Sequence, residues 1–103
     1  MFLTLPTLLT WTRIVAIPVA FNEERAIGQV VDRLLDARVA DIAVADDGST
    51  DATAAIAASR GVRVLHAPRQ QGVGAAIRGA YQWAHAQGYD IAVIDCDMPE
   101  MDG

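Results

Sequence analysis

From residue 14 onward, apolar runs of strand length alternate with segments of helical period, and this alternation leaves few folds open. Ile14 to Val19 is a β-branched run suited to a buried strand. Ile27, Val30, Val31, Leu34 and Leu35 then recur at three- and four-residue steps, as on an amphipathic helix. Ile42 to Ala45 predicts a second strand. Ala52 to Ser59 predicts an alanine-rich helix, closed by Gly61 where a left-handed residue is expected. Val62 to Leu65 predicts a third strand. A longer helix is expected from Val73 to Gln87, with Val73, Ala76, Ile77, Ala80, Tyr81 and Ala84 on one face and Gly88 after it. Ile91 to Ile94 is a fourth strand, apolar throughout and so expected to be buried. The order β-α-β-α-β-α-β predicts a three-layer α/β fold: a parallel sheet with right-handed crossovers and helices on both faces.

A chain of 103 residues has room for one such domain, and 52% apolar residues suffice for its core. Thirteen acidic residues stand against eight arginines and no lysine, for a net charge of −5. That balance leaves no electrostatic footprint for nucleic acid. The single cysteine, Cys96, excludes an internal disulfide and a multi-cysteine metal site, and fits a reducing, cytoplasmic setting. Residues 1–13 form an apolar arm without the basic start and cleavage site of a signal peptide. Arg13 interrupts the apolar run that a membrane span needs. Peripheral contact with a membrane surface, or packing on the domain or on a second copy, is the expected use of this arm. Residues 14–103 are then the folded domain.

Ligands of open parallel sheets bind beyond the carboxyl ends of the strands. Three of those ends carry acidic clusters: Asn22-Glu23-Glu24, the run Asp46 to Asp51, and Asp95-Cys96-Asp97. Oxygen ligands of this kind suit Mg²⁺ or Mn²⁺, which in turn favours a ligand bearing a diphosphate. Each cluster also has a local explanation. Ser49 and Asp51 are ordinary helix caps, and Glu23 and Glu24 complement a helix dipole. Three together on one edge are harder to explain that way. Gly72-Val73-Gly74 opens the long helix like a phosphate-cradling loop, but its spacing matches no nucleotide fingerprint. His66 and His85 read as structural or surface histidines, Tyr81 and Trp83 as packing residues, and Cys96 as a buried spacer.

Four segments, PVAFNEERAIGQVV, VADDGSTDATAAIA, PRQQGVGAAIRGAYQWA and DIAVIDCD, resemble the family 2 glycosyltransferases in sequence and order, over about residues 14–97. They are most similar to the branch that moves sugars from nucleotide donors onto polyprenyl phosphates. The resemblance implies the Rossmann-like A-type glycosyltransferase fold, of which this is the N-terminal half. It further implies a nucleotide-diphosphate-sugar donor and a divalent metal. Pro18, Phe21 and Glu23 would line the base and ribose, Asp46 and Asp47 would recognise the base, and Asp95 with Asp97 would hold metal and diphosphate. One departure is Val19, which separates Pro18 from the small residue that usually follows it. The family's acceptor and catalytic-base half is not in this sequence, so donor binding without efficient transfer is expected.

Two further resemblances sit at the ends. Residues 89–103 resemble the phosphorylation segment of a response-regulator receiver domain, which would make Asp95 a phosphoacceptor. Residues 1–19 resemble the start of CDP-alcohol phosphatidyltransferases. Three resemblances in one chain point to a composite or artificial sequence, and an inactive folded scaffold is a third functional alternative. Strand order separates the first two. A glycosyltransferase places the Ile14 strand between the Ile42 and Ile91 strands, whereas a receiver makes the Ile42 and Ile91 strands neighbours. An exposed edge at the Ile91 strand predicts a homo-oligomer.

Overall fold

The computed structural model describes residues 12–38 and 40–96. The expectations for residues 1–11, for Asp97 and for the end of the receiver-like segment fall outside these residues. Four strands, β1 (Ile14–Ala20), β2 (Asp41–Asp46), β3 (Arg63–His66) and β4 (Ile91–Cys96), form one parallel sheet. Between them run helices α1 (Ile27–Ala37), α2 (Thr53–Ser59) and α3 (Val73–Ala86). The Rossmann-like α/β fold is therefore present. The order across the sheet is β3-β2-β1-β4. This is the glycosyltransferase order and not the receiver order, because β1 separates β2 from β4.

Strand alternation divides the core into two layers. Val15 and Ile17 of β1 and Ala43 and Ala45 of β2 face α3, where they meet Ala80 and Ala84. Ala20 and Val44 face the other way and pack with Ile27 and Val31 of α1 and Ala57 of α2. Full burial of side chains such as Ile17, Val31 and Val44 contributes roughly 1.5–3 kcal/mol each.

Two expectations need correction. β4 is not buried throughout: Ile91 and Val93 are 46% and 54% exposed. Its other face, with Ala92 and Ile94, packs toward α3, whereas α1 packs on β1 and β2 and an open cavity lies between it and Val93. On α3 the stripe of Val73, Ile77 and Tyr81 is exposed, and the buried line runs through Ala80 and Ala84 with Trp83 beside it. The helix turns its small residues to the sheet, and the larger ones in the same broad stripe face solvent.

The helix ends show how local sequence governs the joints. Gly61 takes φ of +82°, the left-handed conformation expected after α2, and Gly88, which ends α3, takes the same value. α1 ends on Arg38 at φ +56°, with no glycine to announce it.

Candidate functional site at the carboxyl edge of the sheet

The parallel register brings the three acidic clusters to one edge. His66, Asp46 and Ala20 lie in one row across β3, β2 and β1, and Cys96 sits opposite Val19 one residue earlier. The loops after β1 and β2 are laced together in this row. Asn22 adopts a left-handed φ of +51° and accepts the Thr50 N–H on Oδ1 at 2.8 Å, while its own N–H donates to Ser49 Oγ at 2.8 Å. The Glu23 N–H donates to Thr53 Oγ1 at 2.8 Å. Glu24 and Asp51 complete a reciprocal pair: the Glu24 N–H reaches Asp51 Oδ2, and the Ala52 N–H reaches Glu24 Oε1 at 3.0 Å.

Asp51 thus performs the capping expected of it, accepting the Thr53 N–H at 2.9 Å. Ser49 does not cap the helix; its hydroxyl holds the β1–α1 loop instead. Burial acts to raise the Asp51 pKa, but hydrogen bonds from the Thr53 hydroxyl and from backbone N–H groups outweigh it and hold the carboxyl below its usual value. A folded-state pKa below the unfolded one means this carboxylate stabilises the fold above the ordinary carboxylate range. That contribution is lost as pH falls through the folded value.

Asp46 and Asp47 are buried, at 2% and 5% exposure, and both carboxylates are satisfied from within the protein. Asp46 accepts the Ser49 N–H on Oδ1 and the His66 ring Nδ1 on Oδ2. Asp47 accepts the Gln71 and Gly72 N–H groups at 2.8 and 3.1 Å, which ties the β3–α3 loop to the end of β2. The glycine loop is therefore held by a carboxylate of this chain. His66 is the structural, half-exposed histidine that its place at a strand end suggests. Its partner is visible only once the register sets β3 beside β2.

The anticipated binding residues divide between two cavities. Asp46 and Asp47 line a cavity of about 310 Å³ on the α3 face, together with His66 and Gln71. Pro18, Glu23, Asp95 and Cys96 line a second, of about 220 Å³, on the α1 face. Phe21, half-buried, lines neither. Asp95 is exposed, and its carboxylate makes no hydrogen bond or ion pair among the described residues. Burial and then the Asp95 charge push the Cys96 thiol above its ordinary pKa; the residue is half-buried, not fully buried as expected, and lines the second cavity.

No group of three or more His, Cys, Asp or Glu side chains among the described residues is arranged to hold a metal. One free carboxylate on an open edge still fits a hard cation that takes its other ligands from phosphate and water. No helix among the described residues is long and apolar enough to cross a membrane.

Comparison with known proteins matches this architecture. An undecaprenyl-phosphate mannosyltransferase from Micrococcus luteus is 34% identical over 92 residues, an alignment covering 82% of this chain and 38% of the relative. The solved structure of glucosyl-3-phosphoglycerate synthase from Mycobacterium tuberculosis, in complex with Mn²⁺, uridine diphosphate and phosphoglyceric acid, superposes with a TM-score of 0.67 at 30% identity. That superposition covers 90% of this chain and 36% of the synthase, so the chain spans little more than a third of either protein. The sequence profile of glycosyl transferase family 2 matches residues 15–98, running through β4 and past the start of the receiver-like segment. On that match and on its strand order, this chain belongs to glycosyl transferase family 2.

Proposed function

We propose that the carboxyl edge of the sheet binds a nucleotide-diphosphate sugar, and that the chain is the donor-binding part of an enzyme passing that sugar to a polyprenyl phosphate. The observation that carries this reading is the division of labour among the edge carboxylates. Asp46, Asp47, Asp51 and Glu24 are consumed in building the loops, and Asp95 is left exposed at the edge. On this reading Pro18, Phe21 and Glu23 would line base and ribose, Asp46 and Asp47 would recognise the base, and Asp95, with Asp97 outside the described residues, would hold metal and diphosphate. A bound Mg²⁺ or Mn²⁺ would offset the charge that develops on the diphosphate as the sugar bond breaks.

Calorimetry and thermal shift with UDP, GDP and their sugars, each with and without Mn²⁺, test this. Saturation at a hundredfold excess over Kd should stabilise the fold by about 2.7 kcal/mol, and only when the cation is present. No shift with any nucleotide would refute the reading.

We further place the chain in the cytoplasm, with residues 1–13 in peripheral contact with a membrane surface. The open β4 edge, carrying exposed Ile91 and Val93, is the proposed route to a homo-oligomer. Sedimentation at roughly tens of micromolar should show a dimer or larger species. A monomer there counts against that route.

A further inference from the structure

We propose that residues 1–11 of this chain lie in an apolar trough between α1 and β4, covering the face of β4 that the folded core leaves open. Two cavities run along that seam on the α1 face of the sheet, of about 450 and 220 Å³. Both are lined by Pro18, Val30 and Asp95, so they adjoin as one trough. Ala16 and Pro18 of β1 and Val93 of β4 form its floor, and Val30 and Leu34 of α1 form its wall. Arg33, Glu23 and Asp95 are the charged residues of its lining, and the rest is apolar. Val93 is 54% exposed there, and Ile91, two residues earlier on the same face, is 46% exposed. Contiguous apolar surface of this kind is a docking face.

Composition selects what covers it. Residues 97–103 bring Asp97, Glu100 and Asp102, which would meet Asp95 and Glu23 with like charge. Residues 1–11 carry Phe2, Leu3, Leu5, Leu8, Leu9 and Trp11 and no charged side chain.

The point of attachment selects the same segment. Arg13, just before β1, is pinned to the start of β4. Its N–H donates to Asp90 Oδ2 at 2.8 Å, and its carbonyl accepts the Asp90 and Ile91 N–H groups. Residues 1–11 therefore depart from the lower end of the trough. From Ile91 to Cys96 the strand rises roughly 17 Å, at about 3.3 Å per residue. Residues 1–11 fully extended reach about 36 Å, enough to turn back before β1 and run the length of the trough.

A second copy can offer the same segment, but tethering decides between the two. A segment held a few residues from its groove has an effective concentration on the order of millimolar. A second copy at roughly tens of micromolar is about ten- to a hundredfold more dilute. The cover lies on the face of β4. The backbone groups of its edge point within the sheet plane and stay open for the pairing proposed above. Contact of residues 1–11 with a membrane surface then requires them to leave the trough.

Methyl NMR of the full chain tests this, beside a variant carrying Leu5→Asp, Leu8→Asp and Leu9→Asp together. The wild type should show cross-peaks from the Leu5, Leu8 or Leu9 methyls to those of Val30, Leu34 and Val93. In the triple variant these should vanish and the Val30, Leu34 and Val93 signals should shift. Val15 and Val44, fully buried in the two core layers, should stay in place and show that the variant is folded.

An equal mixture of chains labelled with different isotopes identifies the owner of the segment. Cross-peaks within one chain support the assignment, and cross-peaks only between chains make a second copy the occupant and overturn it. Trough methyls that ignore the triple variant also overturn it, as do cross-peaks that run instead to Val73, Ile77 and Tyr81 on α3. None of these outcomes depends on whether a nucleotide binds.

Discussion

Gly48→Ala should cost the fold about 2–4 kcal/mol and lower its melting temperature by on the order of 10–20 °C. Gly48 is buried in the turn after β2 at φ +73°, a conformation that disfavours any Cβ. The larger effect is steric. A Cβ there would lie 2.2 Å from the Arg69 carbonyl carbon and 2.4 Å from the Gln70 nitrogen. Both are backbone atoms, so no side chain can swing away. The same loop is anchored two residues further on, where Gln71 and Gly72 donate to Asp47. Moving it would therefore open the buried carboxylate as well. Gly61→Ala is the control. It shares a positive φ of +82° but has nothing within 4 Å of the added carbon, so only the conformational cost of roughly 1–2 kcal/mol applies. Chemical denaturation of the two variants separates the terms. Equal losses would mean that the loop does not depend on the close approach at Gly48.

That contact shows where reading the sequence stops. The strand–helix alternation is written in residue periods, so all seven elements fall where their apolar runs lie, with ends shifted by a residue or two. Gly61 and Gly88 were legible because a left-handed helix end has a preferred residue. The end of α1 at Arg38 was not, because there the geometry is imposed on a residue that does not favour it. Burial on β4 and α3 is not legible for a related reason. An apolar run shows what is able to be buried, and only the placement of α1 decides what is covered.

The site divides the same way. The acidic clusters were legible as three groups on one edge, since parallel strands share their carboxyl ends. Which carboxylates are consumed depends on the register between loops that are 24–28 residues apart in sequence. Seen alone, Asp46-Asp47 and Glu23-Glu24 look as available as Asp95. The His66–Asp46 pair is likewise a product of β2–β3 register, and no spacing rule announces it.

Removing Asp95 should therefore separate binding from stability in a way that removing Asp46, Asp47, Asp51 or Glu24 cannot. Asp95→Ala deletes an exposed side chain with no hydrogen bond or ion pair among the described residues. Its stability should stay within about 0.5 kcal/mol of the wild type. Its Mn²⁺-dependent affinity for the nucleotide diphosphate should fall by about 100-fold, the upper end of what residues supporting a bound metal contribute. Affinity measured without the cation should hardly change, because the carboxylate acts on the phosphates through the metal and would otherwise repel them. Asp47→Ala should behave in the opposite sense. It unties two backbone N–H groups of the β3–α3 loop, so the fold is weakened before any ligand is added. Calorimetry with and without Mn²⁺, beside melting curves of both variants, reads the two effects independently. If Asp95→Ala lowers affinity equally in the absence of metal, the carboxylate contacts the nucleotide directly and the cation site must lie elsewhere on the edge. If neither affinity changes, diphosphate does not approach the end of β4 at all.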